Sequence, residues 1–163
     1  MRLVFWGGAL TVGLVSILFA IAATYAEALF GRVLIHPWTA LVITPLGFLI
    51  SVFLARTVFP GSEGSGIPQA IAARRFRDPG TRERLLSLRL TFGKILLTLF
   101  GLVCGASIGR EGPTVQVGAA IMLFTARAGG MGLERGLILA GSAAGVAAAF
   151  NTPLAGVVFA IEE

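Results

Sequence analysis

Long apolar stretches separated by short polar breaks form the dominant pattern of this chain. Residues 3–29 are one continuous apolar run, and a second run covers about residues 38–59. A helix needs roughly 20 apolar residues to cross a membrane, so each run predicts one full span. The first run is too long for the core of a cleavable signal peptide. In chain order, the predicted helices lie at about residues 3–30, 38–59, 66–76, 88–108, 113–126, 133–149 and 153–163.

Three breaks share one form, in which a polar residue is followed two or three positions later by proline. They are Gly64-Ser65-Gly66-Ile67-Pro68, Gly109-Arg110-Glu111-Gly112-Pro113 and Asn151-Thr152-Pro153. Proline suits the first turn of a helix, and serine or asparagine can cap it. Ordinary helix N-termini are therefore one interpretation of all three breaks, and the one we prefer for Asn151.

The first two breaks also predict an anion site inside a membrane. Non-helical backbone is tolerated at membrane depth only where protein buries it or where it lines a wet cavity. A helix that begins there points free N–H groups and the positive end of its dipole at one place. We therefore expect the tips of interrupted helices to converge within the bilayer, which favours anion transport.

Composition indicates an all-α integral membrane protein. The 163 residues are 56% hydrophobic and 13% charged, whereas a soluble domain carries roughly 25% charged residues. We predict a multi-pass bundle of full-span and broken half-span helices.

The only cysteine, Cys104, cannot form an internal disulfide and is expected to pack as a small residue. His36 has no second ligand nearby, so neither a metal site nor a cofactor is predicted.

Positive charges set the predicted orientation. The net charge is +5, and six arginines lie in the segment 74–89. The positive-inside rule places this segment in the cytoplasm, and lipid headgroup binding is its alternative role. Only Phe76 interrupts the charges as an aromatic residue, so nucleic-acid binding is not favoured. The same orientation predicts that residues 127–135 lie outside and that Glu162 and Glu163 lie near the inner face.

Small residues recur four positions apart in Gly141-Ser142-Ala143-Ala144-Gly145 and in Gly101-Leu102-Val103-Cys104-Gly105. This spacing allows helices to approach closely in lipid. Tight packing is the interpretation that we prefer for both segments.

Ser65 is the first candidate ligand for an anion. Its hydroxyl can donate one hydrogen bond, the amides of Gly66 and Ile67 can donate others, and the flanking glycines allow a close approach. A full positive charge in a low dielectric would hold chloride too tightly, because conduction requires that the ion can leave.

Glu111 is the second candidate, because a carboxylate within the membrane is costly and is a functional hypothesis by default. At a helix N-terminus its negative charge can occupy the anion site itself. After protonation it can swing away and leave the site to a dissolved anion, which would make it both gate and proton carrier. An ion pair with the adjacent Arg110 is an equally open alternative.

Glu163 is the third candidate, since it would lie at the cytoplasmic end of the last helix and could collect protons there. A solvated helix end is the alternative interpretation. Glu27 and Glu63 are interpreted as interfacial or loop residues.

Taken together, the three breaks resemble the ClC family of chloride channels and chloride/proton exchangers. The likeness is carried by residues 64–68, by Gly109-Arg110-Glu111-Gly112-Pro113-Thr114-Val115-Gln116-Val117-Gly118, and by the segment from Ala149 to Glu163. Their order and spacing match as well.

The resemblance implies specific roles. Ser65, with Gly66 and Ile67, is similar to the inner anion-binding segment, in which serine is associated with chloride preference and proline with nitrate. Glu111 is similar to the external gating glutamate, with Arg110, Gly112 and Pro113 as supporting residues. Glu163 is similar to the internal proton glutamate, which exchangers keep and many channels lack. A chloride/proton antiporter is therefore favoured, with chloride, protons and a lipid bilayer, most naturally the inner cell membrane, as its partners.

The resemblance covers most of the first of two inverted repeats, so residues 1–163 are expected to be a partial ClC-type transmembrane domain. The family's second anion-binding segment and its coordinating tyrosine have no counterpart, because the only tyrosine, Tyr25, lies in the first span. At full length the family implies a homodimer. The alternatives are a passive voltage-gated-type chloride channel and a non-transporting fragment. An enzyme is not favoured, since no nucleophile and base are paired.

Overall fold

The computed structural model describes residues 2–33, 37–130, 132 and 134–163, so that His36 lies outside the described residues. Within these ranges the chain is helical. The helices are α1 (Arg2–Val33), α2 (Pro37–Thr57), α3 (Ile67–Arg75), α4 (Pro79–Leu85), α5 (Leu88–Val103), α6 (Glu111–Ala128), α7 (Glu134–Phe150) and α8 (Pro153–Glu162).

Among the described residues, three helical segments are long and apolar enough to cross a membrane. They are Leu3–Arg32, Trp38–Thr57 and Pro79–Val103, and the first two confirm the two spans predicted from the apolar runs. Both helices expose large apolar side chains along their length, among them Leu10 and Leu49. Such a surface is stable in a hydrocarbon environment and unstable in water.

Helix α6 forms the centre of the bundle and is buried along almost its whole length. It packs against α1, α3, α5 and α7. A methyl group on Gly145 would lie 2.6 Å from the carbonyl oxygen of Thr114, and the approach of Gly118 to Gly141 is closer still. The small residues therefore allow α6 and α7 to touch backbone to backbone, which confirms the packing role predicted for Gly141 and Gly145.

The ends of α1 and α6 show that the two helices run in opposite directions. Near the start of α1, a methyl group on Gly8 would lie 2.7 Å from the side chain of Thr125, which is close to the end of α6. At the other end, Arg110 Nη1 donates a hydrogen bond to the carbonyl oxygen of Ala20, at 3.3 Å. We call the face that holds the start of α1 and the end of α6 the basic face.

The predicted position of residues 127–135 is wrong. Arg82, in the arginine-rich segment, pairs with Glu134 at 2.7 Å, and Arg127 pairs with Glu83 at 2.9 Å. These ion pairs place 127–135 beside the segment that was predicted to lie on the opposite side. The physical reason is that the break between α5 and α6 reverses the chain rather than interrupting one span, so α6 returns to the basic face. Met131 and Leu133 lie outside the described residues.

The arginine-rich segment is not a simple loop, because it contains α4. Asp78 caps this helix by accepting a hydrogen bond from the amide of Thr81, at 2.7 Å. A hydrogen bond from the Thr81 hydroxyl, together with this bond from the Thr81 amide, lowers the pKa of Asp78. Arg82 is only 7% exposed and donates to the carbonyl oxygens of Phe76 and Arg77. The segment is thus folded onto the end of the bundle.

Candidate functional site

In the first break, the glycines just before α3 have left-handed backbone conformations. Gly66 is the N-cap residue, with φ of 103°, and Gly64 has φ of 77°. Both values lie in the left-handed region that glycine adopts without strain. Ser65 is exposed and does not cap the helix, contrary to one interpretation of the sequence. Neither its hydroxyl nor the amides of Gly66 and Ile67 donate a hydrogen bond to any residue that the structure describes.

The start of α6 lies directly against this segment. A methyl group on Gly112 would lie 3.0 Å from Cβ of Ser65, and its contact with the Ser65 carbonyl oxygen would be closer still. From the other side, a methyl group on Gly66 would lie 2.9 Å from the carbonyl oxygen of Gly112. The two helix N-termini therefore touch, as the sequence predicted. We call the contact between Ser65–Gly66 and Gly112 the tip junction.

Gln116 supports the tip junction from inside the core. Its side chain is fully buried, and Nε2 donates to the carbonyl oxygen of Leu85 at 3.0 Å. Oε1 faces Gly66 and has no hydrogen-bond partner among the described residues. The residue thereby links α3, the end of α4 and α6. It lies in the 109–118 motif, but the sequence analysis assigned no role to it.

Glu111 is the first residue of α6 and is half-buried. Its carboxylate turns back over the Cα atom of Gly109, at the free end of the helix. It forms neither an ion pair nor a hydrogen bond with any part of the chain that the structure describes. The proposed ion pair with Arg110 is therefore wrong, because the Arg110 guanidinium reaches α1 instead.

An open cavity of about 480 Å³ borders the loop that leads to Glu111. It is lined by Glu27, Phe30, Leu102, Gly105, Ala106, Ser107, Ile108 and Gly109. Gly109 lines this cavity and also contacts the Glu111 carboxylate, so the cavity lies next to the start of α6, on the face opposite the basic face. Glu27 is exposed at its rim.

Lys94 is a feature of the site that sequence reasoning missed. It is 2% exposed, and Nζ donates to the carbonyl oxygens of Gly64 and Glu63, at 2.8 Å and 3.2 Å. Gln69 Nε2 donates to the same Glu63 carbonyl oxygen at 2.9 Å. These three bonds fix the segment just before Ser65. The sequence does contain one sign of this role: Lys94 lies in an apolar run, where an ammonium group requires a partner.

Glu163 lies at the end of α8 on the basic face. Its carboxylate is 3.7 Å from Arg75 and 3.9 Å from Arg74, and its side chain is 22% exposed. Glu163 is therefore not simply a solvated helix end, because its carboxylate forms two long ion pairs with these arginines. Glu162 is exposed and forms no ion pair within the described ranges, so the two adjacent acids have different surroundings.

The third break differs from the interpretation of Asn151 as a helix cap. Asn151 has φ of 52° and follows the last residue of α7 in a left-handed conformation. The N-cap of α8 is Thr152, whose side chain makes no capping hydrogen bond. Asn151 is favoured there because its short polar side chain tolerates this conformation.

Other candidate chemistry is sparse in the described part of the chain. No group of three or more His, Cys, Asp and Glu residues there could hold a metal ion. Cys104 is buried and lies against Gly47 of α2, which confirms its predicted packing role. The arrangement that remains in the described residues is two helix starts without side-chain caps, one carboxylate without a hydrogen-bond partner and one buried ammonium group.

A bundle of helices, three of which are long and apolar enough to cross a membrane, is the architecture of an integral membrane protein. Residues 46–163 match the sequence profile of the voltage gated chloride channel family, and the chain belongs to that family. The chain is also 35% identical over 162 residues to an H⁺/Cl⁻ exchange transporter, ClcA, of Citrobacter koseri. That alignment covers 93% of this chain and 33% of the relative, so the chain spans about a third of the relative's length.

Proposed function

We propose that this chain forms part of a chloride/proton antiporter, in which chloride is coordinated at the tip junction. The observation that carries the proposal is the contact of Gly112 with Ser65, which joins two uncapped helix N-termini. The positive ends of both dipoles then act on one position, where an anion is stabilised without a formal charge in contact with it. The family membership and the exchanger among its relatives support the same function.

In this proposal, Ser65 and the amides of Gly66 and Ile67 are the protein ligands of chloride. All three donors are unused by the described residues, so an entering ion would not have to break existing hydrogen bonds. Neutral donors bind a halide weakly enough to release it, which transport requires. Lys94 holds the preceding carbonyl groups in place and so acts as a positioning residue.

Glu111 acts as the gate and as one proton carrier. When charged, its carboxylate competes with chloride for the dipole ends at the start of α6. When protonated, it loses this attraction and can turn into the wet cavity beside Gly109. Its lack of an ion-pair partner supports the role, because a carboxylate held by Arg110 could not alternate between two positions.

Glu163 supplies protons from the basic face. Its position beside Arg74 and Arg75 supports a cytoplasmic location, because the positive-inside rule assigns an arginine-rich face to the cytoplasm. We further propose that residues 1–163 are most of the first of two inverted repeats. The second repeat would supply the remaining chloride ligands, and the complete protein would be a homodimer in the inner cell membrane.

The test is chloride and proton flux in liposomes that contain the protein at its natural full length. We expect a chloride gradient to drive proton uptake in the wild type, and we expect E111Q to abolish proton uptake while chloride still flows. E27Q removes a carboxylate from the rim of the same cavity and should keep the coupling. Proton uptake that persists in E111Q would contradict the gating role.

The same liposomes separate an antiporter from a passive channel. Coupled exchange makes the reversal potential depend on the pH gradient, whereas a channel is insensitive to it. A reversal potential that follows chloride alone would contradict the antiporter and leave the anion site intact.

A further inference from the structure

Three arginines on the basic face leave their guanidinium groups without hydrogen bonds. Arg74 and Arg75 end α3, and Arg135 lies in the first turn of α7. None of them donates a hydrogen bond to a residue in the described ranges. They border one cavity of about 380 Å³, lined by Arg74, Arg75, Arg135, Gly136, Leu139 and Glu163.

Two other arginines on this face show what a structural role looks like. Arg82 donates to two carbonyl oxygens and to Glu134 at 2.7 Å. Arg127 donates to Glu83 and to the carbonyl oxygen of Pro79, each at 2.9 Å. Both guanidinium groups form hydrogen bonds within the protein, whereas the guanidinium groups around the cavity form none with the described residues.

The cavity has an excess of positive charge. Glu163 is the only acidic residue among those that line it, against three arginines. Its carboxylate lies 3.7 Å and 3.9 Å from the nearest guanidinium nitrogens, beyond hydrogen-bond distance. One loosely held carboxylate therefore faces three planar groups that each have five N–H donors.

We propose that this cavity binds a phosphate-class anion through Arg74, Arg75 and Arg135, in competition with the carboxylate of Glu163. A guanidinium group can bind two phosphate oxygens at once, so a set of arginines without hydrogen bonds is well suited to this ligand. The source is a lipid headgroup at the membrane surface or a free phosphate. A bound anion displaces the Glu163 carboxylate from its arginines. Any effect of this displacement on proton transfer rests on the proposed function, whereas the binding of the anion does not.

The test uses the full-length protein in nanodiscs of neutral phosphatidylcholine, titrated with inorganic phosphate by calorimetry. A parallel sample with phosphatidylglycerol is examined by native mass spectrometry for retained anionic lipid. We expect R75Q and R135Q each to weaken binding about tenfold, because each removes a bidentate charged contact. R84Q removes the same charge from the same face outside the cavity and should change binding less than about twofold.

The competition gives a signature that a purely structural role lacks. We expect E163Q to strengthen phosphate or lipid binding by about threefold or more, because a repelling charge is removed. E162Q should leave it unchanged. Binding of phosphate alone or of lipid alone supports the proposal and identifies the source.

Three results would overturn the proposal. They are no binding of either probe, equal losses in R84Q and R135Q, and weaker binding in E163Q. Each is measured without transport, so a failure here is distinct from a failure of the proposed function.

Discussion

Helices α4 and α5 begin on the basic face and are capped by side chains, whereas α3, α6 and α8 begin at the three breaks without side-chain caps. Asp78 accepts a hydrogen bond from Thr81 at the start of α4, and Ser87 accepts one from Leu90 at the start of α5. The N-cap residues of α3, α6 and α8 are Gly66, Arg110 and Thr152, and none makes a side-chain cap. The chain thus satisfies helix starts near water and leaves those at the breaks with free N–H groups.

This difference shows where the protein retains binding capacity. A good cap contributes about 0.5–2 kcal/mol, so each uncapped start gives up a comparable amount of stability. The burial of α6 along its length offsets that cost, since apolar burial contributes about 25 cal/mol per Å². Two neighbouring N–H groups that have no acceptor carry fixed partial positive charges, and these can bind an anion.

The largest effect is expected at the tip junction. In G112A the added methyl group meets the Ser65 carbonyl group, so α3 and α6 must separate. We expect chloride flux to fall at least tenfold and stability to fall by about 1–3 kcal/mol. G136A is the matched control, because nothing lies within 4 Å of the added methyl group. Equal flux and equal thermal stability in the two variants would show that the junction is not tightly packed.

A smaller effect is expected from the lysine that fixes the first break. K94M leaves the carbonyl oxygens of Glu63 and Gly64 without their donor, which costs about 1–3 kcal/mol when such groups are buried. Chloride affinity should fall with stability, because the chain just before Ser65 is no longer held. Calorimetric chloride titration and thermal unfolding check this, and an unchanged chloride affinity would remove Lys94 from the site.

The smallest effect is expected at a capped start. Hydrogen bonds from Thr81 lower the pKa of Asp78 in the folded state. Its stabilisation is therefore complete above the ordinary aspartate pKa and is lost as the pH falls through the lower, folded value. D78A should lower the melting temperature by less than about 3 °C at neutral pH, and the difference from wild type should vanish in acid.

The control for that prediction is S87A, which removes an uncharged cap from α5. Its effect on the melting temperature should not change with pH, because serine does not titrate. A pH-independent effect in D78A would contradict the assignment of the carboxylate as the cap.

The sequence predicted the elements well where a local pattern decides the outcome. The apolar runs before Thr57 became α1 and α2, and proline with flanking glycines marked the start of α3. The convergence of the interrupted helix tips was also predicted, because non-helical backbone inside a membrane must be buried by protein or line a wet cavity. The particular contact of Ser65 with Gly112 was not predicted.

Contacts between distant residues were not predictable in the same way. Lys94 was missed because its acceptors are carbonyl groups 30 and 31 positions away. The predicted position of Glu134 was wrong, because a count of positive charges cannot detect that the chain reverses between α5 and α6. An ion pair of Arg110 with Glu111 was one of two open alternatives, and it is wrong because the long Arg110 side chain reaches the Ala20 carbonyl oxygen, 90 positions away.

The central claim is that the uncapped starts of α3 and α6 hold one halide between them. The most direct measurement is anomalous diffraction from crystals of the full-length protein grown in bromide. The account predicts a bromide peak about 3–3.5 Å from the Ser65 hydroxyl and the Gly66 and Ile67 amides, lost in S65A. Bromide confined to the arginines of the basic face, with none at the tip junction, would contradict it.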